Sequence, residues 1–550
     1  MKTHLDHLYA QEADHPNDLW LTQPMGGGAV KELTWKQATA EIRSMAAHLA
    51  SLDLPKGSKV ALFSKNCAWW FLADFAIWMA GHVTVPLYPT LTPETIRLTL
   101  EHSESKLVFV GKLDGFEGMK SGIPAGLPII ALPLAPKLDA PQWADLVAKT
   151  KPMEGTPSRD PDDLATIIYT SGSTGLPKGV MHSFRTMSSG LCAVDEYKIT
   201  ANDRMLSYLP LAHVYERATV EIPSVATGMR VYFAESLDTF VADLRRARPT
   251  VFVSVPRLWT KFQQGVFSKM PPKRLALLLK IPFVRGWIQK KILGNLGLAD
   301  VRLAASGSAP IPAALLDWYR SLGLELLEGY GMTENFAISH ANRLGEVRVG
   351  YVGALRTGVE QKLLDSGELL VKSPGNMVGY YKDDALTREM LDAEGFVHTG
   401  DRAEVDAQGR LKITGRVKEL FKTSKGKYVA PAPIENALLL HDDVEQALVS
   451  GPAMPQPYGL VVLSDAARAR AKAGGGLDGI TKSLEAHIER TNGTLNPHEH
   501  LEKVVVARDP WTIENGLLTP TMKVKRAAIE ERYASRVEGW YASKERVIWE

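Results

Sequence analysis

The stretch YTSGSTGLPKGV at residues 169–180 concentrates small hydroxyl residues, glycines and one lysine directly after the apolar, β-branched run LATII. Glycine lets backbone N–H groups approach phosphate oxygens closely, while Ser171, Ser173, Thr174 and Lys178 add donors and positive charge. A triphosphate is the guest such a cradle suits. The pattern is not a Walker loop. Counted from Gly172, Pro177 occupies the position of the second Gly and Gly179 that of the Ser or Thr.

Five further stretches carry side chains able to act on a nucleotide: SGSAP at 306–310, GYGMTEN at 329–335, HTGD at 398–401, GRVKEL at 415–420 and LLTPTMKVKR at 517–526. Magnesium is a hard ion that takes oxygen ligands, and a carboxylate with a threonine hydroxyl and phosphate oxygens can hold it. A second carboxylate can accept hydrogen bonds from both hydroxyls of a ribose. A substrate carboxylate that attacks the α-phosphate of ATP meets strong repulsion, so a lysine ammonium and a divalent ion are needed to offset it. Taken singly, each of these residues is an ordinary turn acid or a solvated base.

In this order, and over roughly residues 30–530, the motifs resemble those of the adenylate-forming superfamily, which comprises acyl-CoA synthetases, peptide-synthetase adenylation domains and luciferases. The resemblance implies that Thr170, Ser171, Gly172, Ser173, Thr174, Gly175 and Lys178 contact the phosphates. It implies that Ser308, Ala309, Gly329, Tyr330, Gly331, Met332 and Thr333 line the adenine side, with the Tyr330 ring over the base. Glu334 and Thr170 would hold Mg2+, Asp401 would take the ribose, Arg416 the ribose or phosphate, and Lys418 would be an interdomain hinge. Lys523 aligns with the family's catalytic lysine; without that alignment its neighbours Lys525 and Arg526 could each equally be a solvated face.

LPLAHVYER at 209–217, FKTSKGKYVAPAPIEN at 421–436 and the TPTMK form of the lysine motif look like the long-chain fatty-acid CoA ligase branch. By that resemblance His213 and Tyr215 sit at the acyl pocket or its gate, although either could be core, and Gly426 lies along the coenzyme A channel. Residues 367–381 carry no insertion of the kind that marks ligases loading a carrier protein. The implied activity is conversion of a long-chain fatty acid to acyl-AMP and then acyl-CoA, with ATP, Mg2+ and coenzyme A. The alternatives are a medium-chain or aryl acid, a carrier-protein acceptor, or a non-catalytic nucleotide sensor. A sensor would not need Glu334, Asp401, Arg416 and Lys523 together.

Elements must position these residues. Thr34 with Gln37 three residues on forms a capping box, and Ile42, Ala46 and Leu49 then share one helical face. Residues 71–88 suit a buried helix followed by a strand, and residues 126–163 a surface connection. Strand-length apolar runs end abruptly in Gly, Ser or Pro at VFVSV, VRLAA and LELLE. PAALLDWYRSLG between the last two has Pro312 at a helix start and Gly323 past its end. Strand, helix, strand implies a parallel sheet, whose ligands gather beyond the carboxyl ends of the strands. The expected fold is α/β. A large domain, residues 1–416, holds parallel-sheet subdomains and a small barrel-like subdomain. A smaller, mobile α+β domain, residues 417–550, follows.

At 550 residues and 45% hydrophobic composition the chain can fill more than one core. Its 64 basic and 62 acidic residues leave a net charge of +2, which excludes a global field for nucleic acid. Two cysteines and an amino terminus without an apolar signal core point to the cytoplasm. Residues 269–299 carry seven cations and no acid, interleaved with apolar residues, which suits either contact with the inner membrane surface or an ordinary inward-packed helical pair. In the His498, Glu499, His500 cluster the two histidines would share a face only on a strand, and with no third ligand evident a metal site there is set aside. Oligomeric state is open, a homodimer included.

Overall fold

The computed structural model describes residues 1–171, 177–472, 476–519 and 522–550, with the side chain of Ser171 left out. The chain divides into two compact units. The first comprises Met1–Lys362, Leu370–His398 and Ala407–Arg410; the second comprises Leu363–Leu369, Thr399–Asp406 and Leu411–Glu550.

In the first unit the helix Ala68–Met79 is buried over all 12 residues, Trp69, Trp70 and Trp78 included. A helix apolar on every side has no solvent face to offer, so it lies inside the unit. The strand Val83–Leu87 follows it and joins a seven-stranded sheet. The sheet order is Gly379–Tyr380, Pro177–Ser183, Leu164–Ser171, Val83–Leu87, Lys59–Phe63, Leu107–Val110, Ile129–Ala131. Pairing from Leu164–Ser171 through Ile129–Ala131 is parallel, and Pro177–Ser183 and Gly379–Tyr380 add antiparallel strands. The expected capping box forms: Thr34 caps the helix Trp35–Ala50, and Ile42, Ala46 and Leu49 are buried.

The runs VFVSV, VRLAA and LELLE supply the parallel strands Val251–Ser254, Leu303–Ser306 and Leu326–Tyr330 of a second sheet. The helix Ala313–Ser321 starts after Pro312, and Gly323 follows its end at φ +84°. Short antiparallel strands His340–Ala341 and Ala354–Leu355 extend this sheet beyond Leu326–Tyr330. A third sheet joins Ala29–Thr34, Leu19–Gly26, Arg230–Phe233 and Arg204–Ser207.

The second unit includes an antiparallel pairing of Asp401 with Arg416, followed by the small hairpin Phe421–Lys422 and Tyr428–Val429. A four-stranded mixed sheet, Val444–Ser450, Tyr458–Leu463, Lys503–Val506 and Val547–Trp549, has one buried cluster with Pro431–Leu438 and Leu477–Asn492 and another with Arg526–Tyr533.

Three local features differ from the sequence reading. Residues 126–163 are more than a surface connection, because Ile129–Ala131 is a sheet strand and Trp143 heads a short helix with its indole donating to Glu41 at 2.9 Å. A helix precedes the first expected one: Thr3 and Asp6 form a capping box for His4–Asp14. The phosphate motif, read as a loop directly after a strand, also runs into a second strand that pairs antiparallel with the first, with Ser171 opposite Pro177. His498–His500 lies in a turn, not on a strand, and the described residues contain no cluster of three metal-ligating side chains.

Candidate active site

Each unit contributes its own set of candidate groups. In the first, Thr170 is half-buried and pairs in register with Lys178 across the phosphate hairpin. Gly172, Ser173, Thr174 and Gly175 lie outside the described residues. Gly179 is obligatory by space: a Cβ there would approach Ile167 Cγ2 to 2.8 Å and the Tyr169 ring to 3.2 Å. Lys178 Nζ stands 6.0 Å from the centroid of the Tyr380 ring.

Two contacts draw the GYGMTEN turn onto this hairpin. Tyr380, on the strand beside Pro177–Ser183, donates its hydroxyl to Glu334 Oε1 at 2.7 Å. Burial and the neighbouring Glu334 carboxylate both raise the Tyr380 phenol pKa, so the phenol keeps its proton and acts as donor. His182, on Pro177–Ser183 itself, lies with Nε2 2.8 Å from the Thr333 carbonyl. Complete burial holds the imidazole pKa down at about 4, so the ring is neutral, and because a carbonyl only accepts, Nε2 carries the proton. Gly331 permits the tight turn, since a Cβ would meet the Ala337 backbone at 2.5 Å. Met332 and Gly329 continue the turn and strand, and the half-buried Tyr330 has its ring centroid 6.3 Å from that of His340.

On the adjoining strand end, Ser308 takes φ +69°, a conformation rare for residues with a side chain, and Ala309 follows it. The neighbouring Gly307 faces Tyr215: a Cβ would sit 3.2 Å from the Tyr215 ring and 3.3 Å from its hydroxyl oxygen. The SGSAP loop and the LPLAHVYER segment are therefore packed together. His213 accepts the Tyr215 backbone N–H at Nδ1, 3.1 Å.

Asn66 and Glu216 secure that segment, and sequence reasoning passed both over. Asn66 Nδ2 donates to Ser207 Oγ at 2.8 Å and to the Leu209 carbonyl at 2.7 Å, and its Oδ1 accepts from Leu211. Glu216 Oε1 accepts from the Ser207 hydroxyl at 2.8 Å and from the Tyr208 N–H at 3.0 Å. Burial pushes the Glu216 pKa up to about 8, which keeps the carboxyl neutral. Glu328, directly before the GYGMTEN turn, was likewise passed over. It is buried, its pKa is pushed up to about 7 by burial, and its Oε1 accepts the Ile311 N–H at 3.3 Å. The signal for Glu328 was an acid inside the apolar run LELLE.

In the second unit Arg416 Nε lies 2.9 Å from Asp401 Oδ1, and Asp401 itself is buried. The Thr399 hydroxyl oxygen accepts the Asp401 N–H at 3.1 Å. Lys418 is exposed within a single 3-10 turn, Val417–Glu419. Gly426 adopts φ +76° at the tip of a hairpin, where its N–H donates to the Thr423 carbonyl at 2.9 Å; residues with side chains rarely take that φ. Lys523 is exposed on a turn in which its N–H donates to Thr519 Oγ1 at 3.0 Å.

Arg526, three residues further on, is a structural group. It donates to the Val449 carbonyl at 2.7 Å and pairs with the largely buried Glu435 at 2.5 Å.

For magnesium, the donors near the phosphate hairpin fit. They are oxygens, and the Glu334 carboxylate is held by a neutral hydroxyl that leaves its charge uncancelled.

The chain belongs to the AMP-binding enzyme family, whose model matches residues 8–381, and the model of that family's C-terminal domain matches residues 419–545. Among characterised relatives, the long-chain-fatty-acid–CoA ligase FadD15 of Mycobacterium bovis is 31% identical, with 97% of this chain and 96% of that protein aligned. Human long-chain-fatty-acid–CoA ligase 1 is 31% identical over 93% of this chain and 82% of its own. Among solved structures, the adenylation domain of the carboxylic acid reductase of Segniliparus rugosus, bound to AMP and a carboxylic acid, superposes with a TM-score of 0.81. It is 22% identical, and 98% of this chain and 94% of that one are covered. The anthranilate CoA ligase AuaEII with anthranoyl-AMP gives 0.78 at 21% identity, covering 98% of each chain. These two likenesses establish the fold.

Proposed function

We propose that this protein is an AMP-forming acid–CoA ligase acting on long-chain fatty acids. The observation that carries the reading is the Tyr380–Glu334 contact, which brings the acid of the GYGMTEN turn onto the hairpin bearing Thr170 and Lys178. It is supported by relatives aligned over 97% and 93% of this chain that are long-chain-fatty-acid–CoA ligases. Those relatives favour CoA over a carrier protein and a long-chain acid over an aryl one.

In the first half-reaction a carboxylate oxygen of the fatty acid attacks the α-phosphorus of ATP. The bond from that phosphorus to the bridging oxygen breaks and pyrophosphate leaves. Bound Mg2+ supplies charge neutralisation. Thr170 and Glu334 hold the ion, Tyr380 orients Glu334, and Lys178 with the loop hydroxyls and Gly172–Gly175 hold the phosphates. Tyr330 covers the adenine beside Ser308 and Ala309, and Asp401 and Arg416 hold the ribose end. Lys523 meets the developing charge near the α-phosphate. In the second half-reaction the CoA sulfur, its proton lost to water, attacks the acyl carbonyl, and AMP departs with the oxygen that joined it to the acyl group. Lys418 is the hinge for the change between halves, Gly426 lines the thiol channel, and His213 and Tyr215 border the acyl group. The working boundary between the two catalytic domains falls at residue 417.

The protein works in the cytoplasm, where its substrate is supplied from the inner membrane surface. No helix among the described residues is long and apolar enough to cross a membrane. Mass-spectrometric product analysis with ATP, Mg2+, CoA and acids of graded chain length tests the assignment. AMP and long-chain acyl-CoA are expected. Acyl-AMP that accumulates despite CoA, or product from aryl acids alone, overturns it.

A further inference from the structure

Residues 269–299 fold as a helical pair, Pro272–Leu279 and Pro282–Leu296, joined by a short turn at Lys280–Ile281. The pair has an inward side: Leu275, Ile288, Ile292 and Leu296 are buried in one of the first unit's cores. Inward packing alone would leave the outer side polar. Instead Phe283 is 97% exposed, Leu277 65%, Trp287 60% and Ile281 41%. Phe283 and Trp287 stand four residues apart on one helix and so share a face. Monomeric proteins seldom leave several large apolar side chains together in water without a partner.

The charges around them have one sign. Lys269, Lys273, Arg274, Lys280, Arg285, Lys290 and Lys291 are all exposed, and no acid occurs between 269 and 299. Lys291 Nζ lies 4.6 Å from the Trp287 ring centroid, so cation and aromatic are presented as one patch. A protein partner of neutral or mixed surface would leave seven like charges unmatched. An anionic bilayer offers negative phosphates at the depth of the lysines and acyl chains beneath them for Phe283 and Trp287.

We propose that the turn at Lys280–Ile281 and the start of the helix Pro282–Leu296, through Trp287, form a docking surface for an anionic lipid bilayer, into which Phe283 and Trp287 insert while the flanking lysines and arginines contact headgroups. The occupant is the lipid surface itself. The site deepens the proposed function, since a water-insoluble acid resides in that surface, but its geometry does not depend on it. Each cation that reaches the headgroups is expected to contribute about fivefold in partition, and the aromatic pair on the order of tenfold or more.

The test uses the full chain and vesicles of phosphatidylcholine with or without phosphatidylglycerol, read by co-sedimentation. The variants are Phe283→Ser with Trp287→Ser, and Lys280→Glu with Lys290→Glu; thermal melting confirms that each is folded. Binding to the anionic vesicles, salt-sensitive and weakened at least tenfold by either pair, supports the site. Equal binding by the variants, no binding by the native chain, or vesicle-independent dimerisation that the aromatic pair abolishes would overturn it. Acyl-CoA formation from a detergent-dispersed fatty acid is expected to be unchanged in the variants. If the native chain lacks that activity yet binds vesicles, the functional reading fails and the docking site stands.

Discussion

Arg416 Nε lies 2.9 Å from Asp401 Oδ1, and the two residues face each other as paired positions on adjacent strands of one hairpin. The guanidinium therefore fixes the carboxylate that is proposed to accept the ribose hydroxyls. Asp401→Asn keeps the shape but gives up the charge-assisted bonds. AMP affinity measured by calorimetry is expected to fall roughly tenfold or more. Arg416→Ala should fall by a similar factor, and the double variant by less than the product, because the residues act as one unit. Independent, multiplying losses would argue against a shared role.

Tyr380→Phe deletes the hydroxyl that orients Glu334 and nothing else. The magnesium concentration for half-maximal pyrophosphate release is expected to rise, on the order of tenfold, while thermal stability changes little. An unchanged magnesium requirement would leave Tyr380 a packing residue.

Lys523 and Arg526 are three residues apart and are expected to separate cleanly. Lys523→Ala should lower adenylate formation on the order of 10²-fold or more with no change in melting. Arg526→Ala leaves Glu435 largely buried without its guanidinium and should cost about 3 kcal/mol of stability. Denaturant titration of both, alongside pyrophosphate release, checks the division.

The Glu216 carboxyl has its pKa pushed up to about 8 in the folded protein from an ordinary 4.5. Between those values the folded state keeps a proton that the unfolded chain has lost, so stability falls as pH rises, by at most about 1.4 kcal/mol per pH unit. Glu216→Gln preserves an acceptor for Ser207 and Tyr208 and removes that slope. It is expected to be more stable than the native chain at pH 8 and equal to it near pH 5. Identical pH profiles from denaturation would contradict a neutral buried Glu216.

Much of this arrangement was legible in the sequence because its signals are local. Thr34 with Gln37 marks a helix start within four residues, and Pro312 with Gly323 brackets a single helix. The clasp between Tyr380 and Glu334 joins positions 46 residues apart, and the Asn66–Glu216 latch positions 150 apart. Apolar periodicity carries no trace of either. Periodicity also could not tell that Phe283 and Trp287 face water while Ile288 and Ile292 face the core. The hairpin form of the phosphate loop was missed because Pro177–Ser183, PKGVMHS, opens on Pro, Lys and Gly and carries no apolar run to mark it as a strand.

The central claim is that an acyl-adenylate forms and that AMP leaves with an oxygen of the original carboxylate. A long-chain fatty acid labelled with oxygen-18 in its carboxyl group, turned over with ATP, Mg2+ and CoA, tests it directly by mass spectrometry of the nucleotide. AMP carrying one labelled oxygen is the predicted result; ADP, or AMP free of label, would contradict it.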